Sequence, residues 1–237
     1  MRTVYHITGT SSGLGKSLAE TALQDARTIV HGYARRAGIT HENYFHHLID
    51  LAEIIQLYRF VFPEPADADK IILINNAGQT GDIRYAGESA AEDIYQTYMV
   101  NAVAPHILMN TFIKKYSEHP AEKIIINITS GAASNPYDGW SSYCASKAAL
   151  NMMSSCIAKE QELRNANIRI FAIAPGVLDT AMQDKLRNTD AHDFSSVGKF
   201  TSLHEKHQLA DPGISARKII DIINNPAQLT AVIHRLP

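Results

Sequence analysis

Short apolar runs alternate with longer amphipathic stretches along this chain, a rhythm that argues for βαβ units built into a parallel sheet. Strands are expected at Val4–Thr8, Thr28–Ala34, Tyr44–Ile49, Lys70–Asn75, Lys123–Thr129, Arg169–Ala174 and Thr230–Ile233. Between them the periodicity predicts helices over Gly13–Asp25, Leu51–Phe60, Ala91–Tyr116, Ser142–Asn165 and Pro212–Asn224, the last with Pro212 in its first turn and Asp211 as its cap. Right-handed crossovers would set these helices on both faces of the sheet and leave the ligand at the carboxyl ends of the strands. The expected fold is therefore a single-domain α/β chain, 1–237, of the Rossmann type: a doubly wound parallel sheet of about seven strands. One stretch, 183–209, breaks the rhythm. It is polar and weakly periodic, and it reads either as a substrate lid or as an ordinary surface excursion.

A chain of 237 residues with 45% hydrophobic and 19% charged residues can bury a large core. A net charge of −2, with both signs spread along the chain, gives no footprint for nucleic acid. The absence of a bilayer-length apolar run or a signal-like start predicts no membrane partner and a cytoplasmic protein. Cys144 and Cys156 fall in one predicted helix roughly 18 Å apart along its axis, too far to pair. Cys144 is expected to be a small buried thiol, the alternative being a redox-sensitive one. Of the 11 histidines, His41, His46 and His47 are the densest group, yet His46 and His47 point to opposite faces of a strand, so no metal site is expected.

The first strand runs into Gly9-Thr10-Ser11-Ser12-Gly13-Leu14-Gly15 and then directly into a helix. Backbone N–H groups at such a turn, with the helix dipole behind them and few side chains in the way, form an anion site suited to a pyrophosphate. The second strand tests which dinucleotide binds. Where an NAD site would carry a carboxylate for the ribose, this strand ends Tyr33-Ala34-Arg35-Arg36, and two guanidinium groups suit the 2′-phosphate of NADP(H). Asp50, at the end of the third strand with Leu51 beside it, can accept from the adenine amino group.

Ser130 follows directly on the fifth strand, and Tyr143 and Lys147 come after it, four residues apart on one helix face. Reducing a ketone needs a hydride at carbon and a proton at oxygen. Tyr143 is the expected proton donor, Lys147 the ammonium that favours its phenolate, and Ser130 the donor that orients the carbonyl. Asn101, within the long helix Ala91–Tyr116, is expected to hold a water that relays protons to Lys147.

These motifs, with Asn75-Asn76-Ala77-Gly78 after the fourth strand and Pro175-Gly176 after the sixth, stand in the order of the short-chain dehydrogenases/reductases, which the whole chain resembles. The G-x-x-x-G-x-G spacing of the first turn is the form that family uses. Ser130-Gly131-Ala132-Ala133, Asn135-Pro136-Tyr137, Gly139-Trp140-Ser141 and Pro175-Gly176-Val177-Leu178-Asp179-Thr180 are more specifically similar to the bacterial benzil reductase group, itself similar to sepiapterin reductases. The resemblance implies that Asn76, Ala77 and Gly78 support the cofactor cleft and that Pro175, Gly176, Val177 and Thr180 surround the nicotinamide. It implies too that Tyr143 and Lys147 touch the cofactor. It further implies activity on a vicinal or conjugated carbonyl, and a homodimer or homotetramer through the two long helices.

Tyr137, Trp140, Asp179 and Met182 are the expected substrate pocket. Trp140 either stacks on a planar substrate or anchors the start of its helix; Asp179 either binds a polar edge such as a pterin's or caps a helix. A sepiapterin-like pterin reductase, a secondary-alcohol dehydrogenase working with NAD, and a non-enzymatic NADP(H)-sensing module are the competing readings.

Overall fold

The computed structural model of the protein describes residues 1–65 and 67–236. Seven strands form one sheet in the order β3-β2-β1-β4-β5-β6-β7, every neighbouring pair parallel. They are β1 (Thr3–Thr8), β2 (Thr28–Ala34), β3 (Tyr44–Leu48), β4 (Lys70–Asn75), β5 (Glu122–Ile128), β6 (Ile168–Ala174) and β7 (Ile233–Arg235). The strand order reverses between β1 and β4, which opens a crevice at their carboxyl ends.

Strands buried on both faces need apolar side chains on both, and the sheet divides two cores accordingly. On one face Tyr5 and Ile7 of β1, Ile72 and Ile74 of β4 and Ile124 and Ile126 of β5 pack under α1 (Gly13–Ala22). The same layer holds Ala216, Ile219 and Ile223 of the helix Pro212–Asn224. On the other face Val4, Ile71, Leu73 and Ile125 lie under Leu108, Met109, Phe112 and Tyr116. His6 is fully buried in that second layer. The Tyr116 hydroxyl donates to the Pro63 carbonyl at 2.7 Å, so it accepts from His6 Nε2 (3.2 Å) while Tyr33 donates to His6 Nδ1 (3.0 Å). A neutral imidazole satisfies the whole chain, and burial holds His6 well below the usual imidazole range. His46 and His47 do face opposite ways, towards Tyr44 and Tyr33 respectively.

Four expectations are corrected. The helix expected over Leu51–Phe60 is only α2 (Ile54–Tyr58), because Asp50 accepts from the Ala52 N–H and closes a turn where the helix would begin. The last strand lies at Ile233–Arg235 rather than Thr230–Ile233, the register being set by pairing with Ala172–Ala174. The long helix Ala91–Tyr116 is interrupted: α3 (Ala91–Tyr98) passes through a π-helical turn, Met99–Val103, into α4 (Ala104–Tyr116). The stretch 183–209 is not irregular. It holds the end of α6 (Ala181–Arg187) and all of α7 (Val197–Glu205), whose Leu186 and Phe200 join Phe194 in a third core at the carboxyl end of the sheet. The catalytic-motif helix is α5 (Ser141–Leu163), and Pro212–Asn224 is α8, capped by Asp211 accepting from Ile214 N at 2.8 Å. Among the described residues no helix is long and apolar enough to cross a membrane.

Candidate active site

The crevice is a single cavity of about 1320 Å³, above the roughly 300–1,000 Å³ of pockets that hold one small ligand. The first turn forms one end. Gly9 and Gly13 take the left-handed φ values of 75° and 54° that this turn requires. Ser12 precedes α1 without capping it, so the N-terminal N–H groups remain directed at the cavity. Ser11, Leu14, Asn76, Ala77 and Gly78 line the same wall. Asn76 is tied down by donating to the Thr8 carbonyl at 2.9 Å, and the Asn76 and Ala77 N–H groups both reach Thr8 Oγ1 at 3.0 Å. Gly15 does not line the cavity: it stands behind the turn, where a β-carbon would fall 2.2 Å from the Gly9 carbonyl oxygen.

Arg35 and Arg36 are exposed at the rim, with Asp50 and Leu51 below them. Arg35 stands 3.9 Å from the Asp50 carboxylate, a loose pair that leaves its guanidinium accessible. Pro175, Gly176, Val177 and Thr180 form the opposite wall, Gly176 with φ 88° and Thr180 over Gly13. These groups fit a phosphorylated dinucleotide: a glycine cradle and helix N-terminus for pyrophosphate, then two cations beyond it.

Ser130, Tyr143 and Lys147 meet at the other end. Ser130 accepts from the Ala132 N–H at 3.2 Å, which fixes it at the close of β5. Tyr143 is 5% exposed and Lys147 4%. Burial pushes the Tyr143 phenol up to about 12, opposed by a hydrogen bond from Ser130. Burial also pushes the Lys147 ammonium down to about 8. The Lys147 ammonium donates to the Ile128 carbonyl at 2.9 Å and lies 5.8 Å from the Tyr143 ring centre, on the same side of the cavity as the phenol. The raised value keeps the phenol protonated at neutral pH, so it faces the cavity as a hydrogen-bond donor, able to pass its proton to an alkoxide, which is the far stronger base.

Asn101 lies on the π-helical turn, behind the cavity wall. Its amide donates to the Gln79 carbonyl (2.8 Å) and Ser146 Oγ (3.1 Å) and its oxygen accepts from Gln79 N–H (2.9 Å). Both amide hydrogens are thus committed, and the oxygen keeps one acceptor position beyond the Gln79 N–H. A β-carbon on Gly78 would stand 3.3 Å from Asn101 Oδ1 and 3.5 Å from Lys147 Nζ, so the three converge.

Of the pocket residues, Met182 Sδ lies 4.0 Å from the Tyr143 hydroxyl, and Asp179 is exposed on the cavity wall and caps no helix. Trp140 resolves towards the anchor: it is 5% exposed, its face is stacked on Tyr143, and its N–H donates to the Thr80 carbonyl. Sequence reasoning missed Lys199, which donates to the Tyr137 hydroxyl at 2.7 Å and lines the cavity from α7. No periodicity marks it. Cys144 is half-buried, and burial pushes its thiol up, away from reactivity.

Residues 3–191 match the family model described as short chain dehydrogenase. Over 227 residues the chain is 36% identical to the benzil reductase ((S)-benzoin forming) of Bacillus subtilis, covering 93% of each chain. It is 31% identical to the sepiapterin reductase of Bos taurus over 69% of this chain and 60% of that one. Among solved structures, a short-chain dehydrogenase/reductase from Saccharomyces cerevisiae superposes with a TM-score of 0.85 at 22% identity, covering 99% of this chain and 96% of that one.

Proposed function

The chain belongs to the short-chain dehydrogenase family, whose members are nicotinamide-dependent oxidoreductases, and from that premise we propose that it is an NADPH-dependent carbonyl reductase acting on a ketone or vicinal diketone, with Tyr143 as general acid. The observation that carries the reading is one cavity with the glycine turn, Arg35 and Arg36 at one end and Ser130, Tyr143 and Lys147 at the other. A bound reduced nicotinamide supplies hydride to the carbonyl carbon. Ser130 orients the carbonyl oxygen, Tyr143 gives it a proton, and Lys147 favours the charge that develops there. Asn101 holds the Gln79 backbone beside Lys147. The benzil reductase relatives favour a benzil-like substrate. A pterin carbonyl is the second reading, supported by the sepiapterin reductase matches and by the free Asp179 carboxylate on the cavity wall. Segment 183–209 serves as the substrate wall of the one domain. We further propose a cytoplasmic homodimer or homotetramer, to which α3 and α5 would offer the exposed Ile94, Tyr95, Tyr98 and Met152.

The experiment is a panel of benzil, 1-phenyl-1,2-propanedione and sepiapterin with NADPH and with NADH. Oxidation of NADPH by a diketone well above a Tyr143→Phe control is the expected result; none above that control, or a clear preference for NADH, overturns the reading. Two further outcomes are expected. Replacing Arg35 and Arg36 together by alanine should raise KM for NADPH by about 30-fold, the scale of one or two charge-assisted hydrogen bonds, and leave KM for NADH within threefold. Lys147 is charged below about 8 and neutral above it. Because the charged form is the useful one for reduction, kcat/KM should be flat on the acid side and fall as pH rises through about 8. In Lys147→Met that alkaline limb should vanish, on an activity lowered about 100-fold.

A further inference from the structure

We propose that Trp140 is a positioning residue for Tyr143, held in that role by the segment 183–209 through Phe194, Phe200 and a clasp on the turn that precedes α5. The inference rests on the reading of Tyr143 as the proton donor. Tyr143 is the third residue of α5, and α5 begins without a side-chain cap: Trp140 occupies the capping position and offers its N-terminal N–H groups no side-chain acceptor. The first turn of an uncapped helix is where helices fray, so the orientation of the phenol has to be fixed from outside the helix.

Trp140 fixes it. Its indole lies parallel to the Tyr143 ring, 4.1 Å between centres and 5° between planes, a face-on contact that opposes tilting of the phenol. The indole is itself held at several points. Its N–H donates to the Thr80 carbonyl at 2.9 Å, and its edges meet Tyr137, Phe194 and Phe200 at 6.0, 6.1 and 6.4 Å with steep interplanar angles. Phe194 is fully buried and Phe200 is 4% exposed, so the segment's apolar side chains serve this cluster rather than the sheet.

The clasp acts on the two residues before Trp140. Asp138 accepts from the N–H and the hydroxyl of Ser195, at 2.8 and 2.9 Å. Gly139, with φ 66°, lies so close to the segment that a β-carbon there would stand 1.9 Å from the Asp193 carbonyl oxygen. Arg84 ties the same place from outside, its guanidinium pairing with the Asp193 carboxylate at 3.5 Å and its backbone N–H donating to the Gly139 carbonyl at 2.9 Å. Polar contacts hold the turn, aromatic contacts hold the indole, and the indole holds the phenol.

The test compares Trp140→Ala, Trp140→Phe and Asp138→Ala in the full-length protein, with benzil as substrate and NADPH affinity read from the nucleotide's own fluorescence. Trp140→Ala should lower kcat about 30-fold while KM stays within threefold and the NADPH Kd within twofold. Trp140→Phe, which keeps a flat ring, should recover at least a third of the original kcat. Asp138 is half-buried at the surface and its loss should lower kcat about fivefold in the same pattern, so this variant decides the matter if Trp140→Ala does not fold. In a Tyr143→Phe background Trp140→Ala should cost less than twofold more, because a residue that acts through Tyr143 has nothing left to position. An unchanged kcat, a loss confined to KM, or full additivity in the double variant overturns the inference. Should Tyr143→Phe itself stay active, the assignment of the acid falls instead; if it is inactive while Trp140→Ala works normally, that assignment stands and only the role of Trp140 fails.

Discussion

Tyr143→Phe should lower kcat for diketone reduction by about 10³-fold, within the range that a positioned acid contributes and equivalent to roughly 4 kcal/mol of transition-state stabilisation. The substitution isolates the proton. Phenylalanine fills the same volume, keeps the stack on Trp140 and loses only the hydroxyl, whose contacts are Ser130 and, at 4.0 Å, Met182 Sδ. Stability should hold or rise slightly, since a buried hydroxyl is removed from a site that raises its pKa by desolvation. NADPH affinity should stay within twofold, because the glycine turn and the arginines are untouched. Stopped-flow measurement of single-turnover reduction beside equilibrium titration of the nucleotide separates the two effects. Residual turnover above a tenth of the original rate would show that Tyr143 is not the acid, and Ser130 would then be the residue to examine.

Gly15→Ala should weaken NADPH binding at least 100-fold (roughly 2.8 kcal/mol) and lower the melting temperature by about 5–10 °C, the consequence of roughly 2–3 kcal/mol of overpacking in a chain of this size. Its β-carbon would fall 2.2 Å from the Gly9 carbonyl oxygen and 2.3 Å from Asn76 Nδ2. Neither neighbour can yield cheaply. Gly9 is backbone, and the Asn76 amide is engaged with the Thr8 carbonyl that closes β1. The methyl can be admitted only by lifting the turn off α1, which spoils the N–H cradle. Gly198→Ala makes the control, since a β-carbon there meets nothing within 4 Å and the position is helical. That variant should be neutral or stabilised by up to about 1 kcal/mol. Isothermal titration and thermal melts of both variants check the pair.

How much of this was readable in advance follows from where each signal resides. Strands buried on both faces read as continuous apolar runs, so β1, β4, β5 and β6 announced themselves, and with them the crevice at the strand ends. The glycine turn and the spacing of Ser130, Tyr143 and Lys147 are local patterns on regular elements, and they do line one cavity. What escaped depended on tertiary packing. Phe194 and Phe200 sit in a largely polar stretch whose few apolar residues do not say what they pack against, so nothing in the sequence marks them as partners of Trp140. Trp140 itself was ambiguous because an aromatic beside a catalytic residue can face substrate or protein, and only the neighbouring rings decide. Charge can be read from the sequence, but depth of burial cannot, and burial is the first cause of the shifts at both Tyr143 and Lys147.

The π-helical turn at Met99–Val103 carries a consequence for the helix that contains it. One extra residue in a turn rotates everything on one side by about 100° relative to the other. The half that follows lays Leu108, Met109, Phe112 and Tyr116 against the sheet, while the half that precedes leaves Ile94, Tyr95 and Tyr98 turned to the outside. A single stretch of chain thereby faces two ways, and Asn101 sits at the pivot. Deleting one residue from that turn would not merely shorten the helix. It would swing one half around the other, so that the phase of the outer stripe and the placement of Asn101 against Gln79 are set by the same inserted residue and could change only together.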